Sequence, residues 1–364
     1  MKKLWKLALA SLMVVSLAAC SSNETTDEDA NATADATAET TEECAMKVGL
    51  VTDTGGVDDK SFNQSAWEGI ERFAEDNNLG SDCYGYLQST ADADYLPNLQ
   101  SYADEGYDLV VACGYLFQEA IDTVSAQYPD TNFLFIDSVG ENSEENTMSA
   151  IFAAQDGSFL VGVAAGLVAK DTEANAVGFM GGMEGPLIGA FQAGFEQGVI
   201  AVNPDATIYV DYADSFSDDA KAQQIGEKQY SAGVSVIYQA AGNAGNGIIK
   251  AAKERGDVWA IGVDRDQYEE GMTDNGSIIL TSMIKRVDTA TYTACSEIQD
   301  GTFVGDVTTF GLADEGIGAE LSSGRNLTDE QIATIQGYAD QIKAGEIVVS
   351  DQATIANGKT NKSE

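Results

Sequence analysis

The chain has 364 residues with 19 basic and 59 acidic side chains, a formal net charge of -40, and no histidine. Such an excess of carboxylates argues against nucleic acid, whose phosphates need Lys and Arg to neutralise them, and against charge-driven binding to an anionic lipid surface. The lack of histidine removes the side chain most used for proton transfer near neutral pH and the commonest zinc ligand; no cofactor and no metal site are expected.

The chain opens with Lys2, Lys3 and Lys6, an apolar run from Leu7 to Val15, and then Leu17-Ala18-Ala19-Cys20. This order resembles a bacterial lipoprotein signal peptide over residues 1–19, which implies that Cys20 is the lipid-modified residue anchoring the protein outside the cell membrane; a plain secretory signal or an uncleaved anchor is the alternative. Residues 20–45 follow as a tether rich in Asp, Glu, Ser, Thr, Ala and Asn. From 21 to 43 no large apolar side chain occurs, so this segment has nothing to bury and repels itself into an extended coil.

From residue 46 strand and helix patterns alternate. Short apolar runs mark strands at 46–51, 83–88, 108–113, 132–136, 148–152, 175–180, 206–211, 234–239, 258–263 and 278–281. Helical spacing marks 62–77, 95–105, 117–127, 157–169, 187–202, 217–232 and 245–255. Alternation of this kind gives parallel sheets covered by helices on both faces. Ten strands exceed one compact lobe, and KVGLVTD at 47–53 and NAVGFMGG at 175–182 each look like the opening of a lobe, so an α/β protein of two similar lobes is expected. A single continuous dinucleotide-binding enzyme is the alternative architecture. Apart from Cys20, the cysteines are 44, 83, 113 and 295. Cys44 and Cys83 precede strands whose starts would meet if adjacent and parallel, which export would allow to be bridged; Cys113 and Cys295 read as small apolar residues, and the sequence leaves the pairing open.

Polar residues cluster where strands end, the edge at which open α/β sheets bind ligands. Asp53 ends the first strand, Asp137 ends FLFID, Tyr238 and the AGNAG turn end VSVIYQ, and Asp264 ends WAIGVD; Lys285 is the one cation near them. Phe62, beside Asn63 at the entry to the first helix, either plugs that helix onto the sheet or faces a ligand. Each aspartate taken alone also suits a helix cap or turn. No nucleophile elbow, P-loop, CxxC pair or calcium loop is present, and the glycine cluster at 242–247 lacks the strict dinucleotide spacing.

The set DTGGVDDKSFNQ, FLFID, AGNAGNG, IGVDRDQ and LTSMIKRVD, in that order, resembles the BMP (PnrA-like) family of nucleoside-binding lipoproteins, substrate receptors of ABC importers. The resemblance implies a type I periplasmic-binding-protein fold, two lobes joined by three crossovers, with residues 46–153 plus about 283–310 in the first lobe, 154–282 plus about 311–356 in the second, and 357–364 as a flexible tail. Crossover segments near 152–156, 264–268 and 308–314 are the expected hinges. It further implies a site of Asp53, Phe62, Asn63, Asp137, Tyr238, Gly242, Asn243, Asp264 and Lys285. Phe62 and Tyr238 would sandwich the base, Asn63 and Asp137 would read its edge, and Asp264 would hold the ribose, with Lys285 donating to the same sugar or orienting Asp264. Tyr238 stands where the family pattern has phenylalanine, and Asn243 where it has glycine. The implied function is capture of a purine nucleoside such as inosine, guanosine or adenosine by hinge closure, and its delivery to a permease with its ATPase. A sugar or autoinducer receptor of the same fold, or a surface nucleoside hydrolase, is the alternative.

Overall fold

The computed structural model describes residues 44–141 and 145–363. The expected signal peptide, the acceptor Cys20 and all but the last residues of the tether lie outside the described residues. Among the described residues, no helix is long and apolar enough to cross a membrane.

The first part of the chain runs β1 (Val48–Thr52), α1 (Phe62–Asp76), β2 (Tyr84–Gln88), α2 (Tyr95–Asp104), β3 (Leu109–Cys113), α3 (Gln118–Gln127), β4 (Asn132–Ile136) and β5 (Thr147–Phe152). The second continues with α4 (Ala154–Ala169), β6 (Ala176–Gly181), α5 (Pro186–Val202), β7 (Thr207–Tyr212), α6 (Asp219–Ser231), β8 (Val236–Ala240), α7 (Asn246–Arg255) and β9 (Trp259–Asp264). A short ribbon of β10 (Met272–Thr273) and β11 (Gly276–Ser277) leads into β12 (Ile279–Lys285). Then come α8 (Val287–Asp300), β13 (Val307–Phe310), β14 (Ile317–Ala319), α9 (Asp329–Lys343) and β15 (Lys359–Thr360).

Two main sheets result, in the orders β13-β5-β4-β3-β1-β2 and β14-β12-β9-β8-β6-β7-β15. Every pairing in the first sheet is parallel, while the second carries antiparallel edge strands, β14 and β15. Interior strands such as β3, LVVAC, are buried at every position, as continuous apolar runs must be when helices cover both faces. In the second lobe α4 and α5 pack backbone to backbone: a Cβ on Gly194 would fall 2.0 Å from the Gln155 carbonyl oxygen, and one on Gly198 2.0 Å from that of Phe159. Only glycine lets the helices approach so closely.

The chain passes between sheets between β5 and α4, between β12 and α8, and between β13 and β14, since α8 packs on α1 while α4, α9 and β14 pack with β12 or one another. The expected hinge at 264–268 is corrected: β9 and β12 pair in the same sheet, so that segment does not leave its lobe, and the crossing falls at 285–287. Residues 359–360 of the expected tail pair with β7 as an edge strand, and the Glu196 carboxylate holds the preceding strap by accepting from Thr354 N–H at 3.0 Å and Ile355 N–H at 3.2 Å. Cys44 and Cys83 are bridged at the amino ends of neighbouring parallel strands, with Cα atoms 5.5 Å apart, whereas Cys113 and Cys295 are buried thiols.

Candidate functional site

The carboxyl ends of both sheets face a cavity partly open to solvent, at the edge where α/β sheets bind small molecules. Its wall includes Asp53, Phe62, Asn63, Asp137, Gly242, Asp264 and Lys285. The β1–α1 turn is built around two carboxylates. Asp59 accepts from the backbone N–H groups of Ser61, Asn63 and Gln64 at 2.8, 2.9 and 3.1 Å, so it satisfies donors at the start of α1 that Ser61, the formal cap, leaves open. Asn63 donates its amide to Asp53 at 2.7 Å and to Asp59 at 3.0 Å, and accepts from Asp53 N–H at 3.1 Å. Both amide hydrogens are thereby engaged, so Asn63 positions Asp53 and keeps only acceptor capacity for a ligand.

Asp137 and Asp264 occupy matching places at the ends of β4 and β9, and both have left-handed backbone, with φ of 70° and 68°. Such φ values are rare outside glycine and cluster at functional turns. Lys285, at the end of β12, forms a buried ion pair with Asp137 Oδ2, the side chains being 2% and 5% exposed. Its ammonium also stands 4.6 Å from the Phe62 ring centroid, 5.0 Å from that of Phe152 and 5.6 Å from that of Phe191. Asp137 Oδ1 is buried without a hydrogen-bond partner. Loss of water disfavours the charged carboxylates: burial pushes Asp53, Asp59 and Asp264 up to about 6, against the lowering effect of Lys285 on Asp264 and of hydrogen bonds on all three.

Two expected site residues are elsewhere. Tyr238 is completely buried, its ring 5.7 Å from Phe179 and 5.5 Å from Phe195 and its hydroxyl 3.1 Å from Ser158 Oγ, so it belongs to the core beneath the cavity. The reason is register: β8 continues to Ala240, which puts Tyr238 inside the strand and not at its end. Asn243 is not part of the cavity wall either; its Oδ1 accepts from Asn246 at 3.1 Å. The second lobe instead presents Phe191 from α5 and Phe216 from the β7–α6 turn, neither singled out from the sequence. Phe216 meets Tyr115 of the first lobe edge to face across the cleft, centroids 6.3 Å apart. Its signal was present: DSFSD follows a strand end, as the other site turns do. Among the described residues no arginine lines the cavity; Arg265, beside it, is held by Glu68 at 2.7 Å and Glu270 at 3.5 Å.

Two α/β lobes with three chain crossings, and a cavity where their strand ends face, define a solute-binding protein of the type I periplasmic class. The model of the ABC transporter substrate-binding protein PnrA-like (Bmp) family matches residues 46–353, and the chain belongs to this family. It is 41% identical over 367 residues to the CD4+ T-cell-stimulating antigen of Listeria innocua, covering 96% of this chain and 99% of that protein. It is 36% identical over 341 residues to the ABC transporter nucleoside-binding protein BmpA of Lactococcus lactis subsp. cremoris, covering 90% and 93%. Among solved structures, a solute-binding protein of an ABC transporter system from Aeropyrum pernix K1 superposes with a TM-score of 0.74 at 27% identity, over 85% of this chain and 94% of that one.

Proposed function

We propose that this protein captures a nucleoside, foremost a purine nucleoside such as inosine, guanosine or adenosine, and delivers it to the permease and ATPase of an importer. In this reading it works outside the cell membrane, anchored through lipid on Cys20. The observation that carries it is the composition of the cavity: phenylalanine rings from both lobes, carboxylates at strand ends, and a single lysine already paired with Asp137. A flat heterocycle between Phe62 and Phe216 gains burial plus about 1 kcal/mol of stacking per ring. A carboxylate with two acceptor oxygens suits a ribose cis-diol, the role assigned to Asp264. The unpartnered Asp137 oxygen and the Asp53 carboxylate suit N–H or O–H donors on the ligand.

The same composition disfavours nucleotides, because the lining offers phosphate no arginine fork and its lysine is already paired with Asp137. Among the described residues no group of three or more acidic, cysteine or histidine side chains is arranged to hold a metal ion, which favours capture over metal-assisted hydrolysis. The relative from Lactococcus is itself named a nucleoside-binding protein, which supports the ligand class.

The test is a thermal-shift panel of inosine, guanosine, adenosine, uridine, hypoxanthine and ribose. A nucleoside at one hundred times its Kd raises stability by about 2.7 kcal/mol, a shift of several degrees. Stabilisation by nucleosides well above that by hypoxanthine or ribose supports the reading. Stabilisation by ribose or other sugars alone contradicts it, and release of hypoxanthine from inosine on prolonged incubation replaces it with the hydrolase.

A further inference from the structure

Residues 59, 60 and 61 of the β1–α1 turn are consecutive, and each bonds to the second lobe. The Asp59 carbonyl accepts from Asn246 Nδ2 at 3.0 Å, the Lys60 carbonyl accepts from Gln267 Nε2 at 2.9 Å, and the Ser61 hydroxyl donates to the Asp264 carboxylate. Lys60 takes left-handed backbone, φ 61°, the sharp bend that brings neighbouring carbonyls to the partner lobe. Asn246 and Gln267 are absent from the cavity wall, so a ligand in the cleft touches neither.

Gln267 is fully buried and completely committed. Its Oε1 accepts from Val263 N–H at 3.0 Å and from Gln239 Nε2 at 2.9 Å, and its own N–H donates to Ser282 Oγ at 3.1 Å. The side chain is therefore pinned to β8, β9 and β12 before it reaches Lys60. A rigidly held amide aimed at a carbonyl of the other lobe, with no role in the cavity, is a connector between lobes. Asn246, first residue of α7, is oriented likewise by Asn243 Oδ1 at 3.1 Å.

We propose that Asn246 and Gln267 are positioning residues that latch the cleft shut on the 59–61 turn, so that part of the free energy of closure, and hence of ligand affinity, is independent of ligand contacts. Ser61 ties this latch to the site through Asp264. The inference rests on two lobes closing on one another and not on the chemistry of the ligand. A receptor whose competent state is more populated binds more tightly in proportion, and removal of one net-favourable hydrogen bond lowers that population roughly fivefold.

The test uses single-molecule energy transfer in unliganded protein labelled at Glu75→Cys on α1 and Lys250→Cys on α7, both exposed, in a Cys20→Ser background where the native thiols Cys113 and Cys295 are buried. Asn246→Ala removes one latch. Gln267→Glu, measured at pH 8, keeps the oxygen that accepts from Val263 and Gln239 but sets a second acceptor against the Lys60 carbonyl. Asn246→Ala is expected to lower the closed fraction about fivefold with a melting temperature near that of the parent, and Gln267→Glu, a buried carboxylate with no donor for its second oxygen, to lower it at least as far with a reduced melting temperature; each raises the dissociation rate of inosine by the factor by which it lowers the closed fraction, with little change in association. An unaltered closed fraction in both variants, or a parent with no closed population, overturns the proposal. Asn246 is half-buried at a helix start, so its variant decides the matter if Gln267→Glu does not fold. The distance measurement also decides it if inosine does not bind at all, an outcome that counts only against the nucleoside reading.

Discussion

Replacing Lys285 by methionine isolates the ion pair at the centre of the site. The methionine keeps much of the apolar stem and its packing against Phe62, Phe152 and Phe191 but removes the charge. Asp137 then has no protein partner on either oxygen, since Oδ1 already lacks one, and its side chain is only 5% exposed. An uncompensated buried charge left by removing its partner destabilises by about 3–5 kcal/mol. The reciprocal change, Asp137→Asn, is milder, about 1–3 kcal/mol, because the asparagine oxygen still accepts from Lys285 and three aromatic rings still face its ammonium. The double variant is expected to lose at least about 2 kcal/mol less than the sum, since it leaves no stranded charge. Urea unfolding of the unliganded protein at fixed pH measures all three, with an unchanged m-value showing that the same surface is exposed. Losses under about 1 kcal/mol for Lys285→Met, or single effects that add within about 0.5 kcal/mol, would refute this description of the pair.

Burial sets a pH dependence whose sign is definite: Asp53, Asp59 and Asp264 rise from the ordinary 3.8 to about 6, so the native state holds protons that the unfolded chain has released. Their contribution is therefore greatest below about pH 4 and is lost as pH rises through about 6, on the order of 3 kcal/mol apiece at most. Asp53→Asn, which retains an oxygen for the Gly55 and Asn63 donors, is expected to flatten part of that slope in melting curves from pH 4 to 7, and an identical profile would contradict it. Tyr238→Phe strips only the hydroxyl that meets Ser158, so stability should fall by about 1 kcal/mol with inosine affinity unchanged by calorimetry; a large affinity loss would return Tyr238 to the site. Opening the Cys44–Cys83 bridge, which spans 39 residues of sequence, should lower stability by up to about 4 kcal/mol. Because that bridge joins the amino ends of β1 and β2, away from the cavity, inosine affinity should stay within twofold, and a marked loss would show that the bridge shapes the site.

All ten strands read from the sequence form, as do the seven helices, most of the strands as short apolar runs bounded by turns. The last third was harder to read. In α9 only Ile332 and Ile335 are buried, and α8 buries mainly small residues, so neither carries the run of large apolar side chains that marks α4 and α5. The crossings are tertiary events that no local pattern marks, which is why 264–268 looked as hinge-like as 152–156. The strand-end pattern points to Asp53, Asp137 and Asp264, which line the cavity, because an aspartate stops an apolar run visibly. It failed at Tyr238, where Gln239 and Ala240 carry the strand two residues further. After β7 the turn that follows the strand end carries Phe216 into the cavity wall. Phe191 faces the cavity from within an apolar helix, and nothing in LIGAFQAGF distinguishes it from a core residue.

Titration calorimetry of the parent, Phe62→Ala and Phe216→Ala with inosine puts the ring sandwich to trial. Saturable one-to-one binding is expected, weakened in each variant by roughly 2 kcal/mol, about thirtyfold, while melting of the unliganded variants changes little because both rings are only half-buried. Inosine binding that survives both changes, or is lost in neither while sugars compete for the cleft, would contradict a base held between the two lobes.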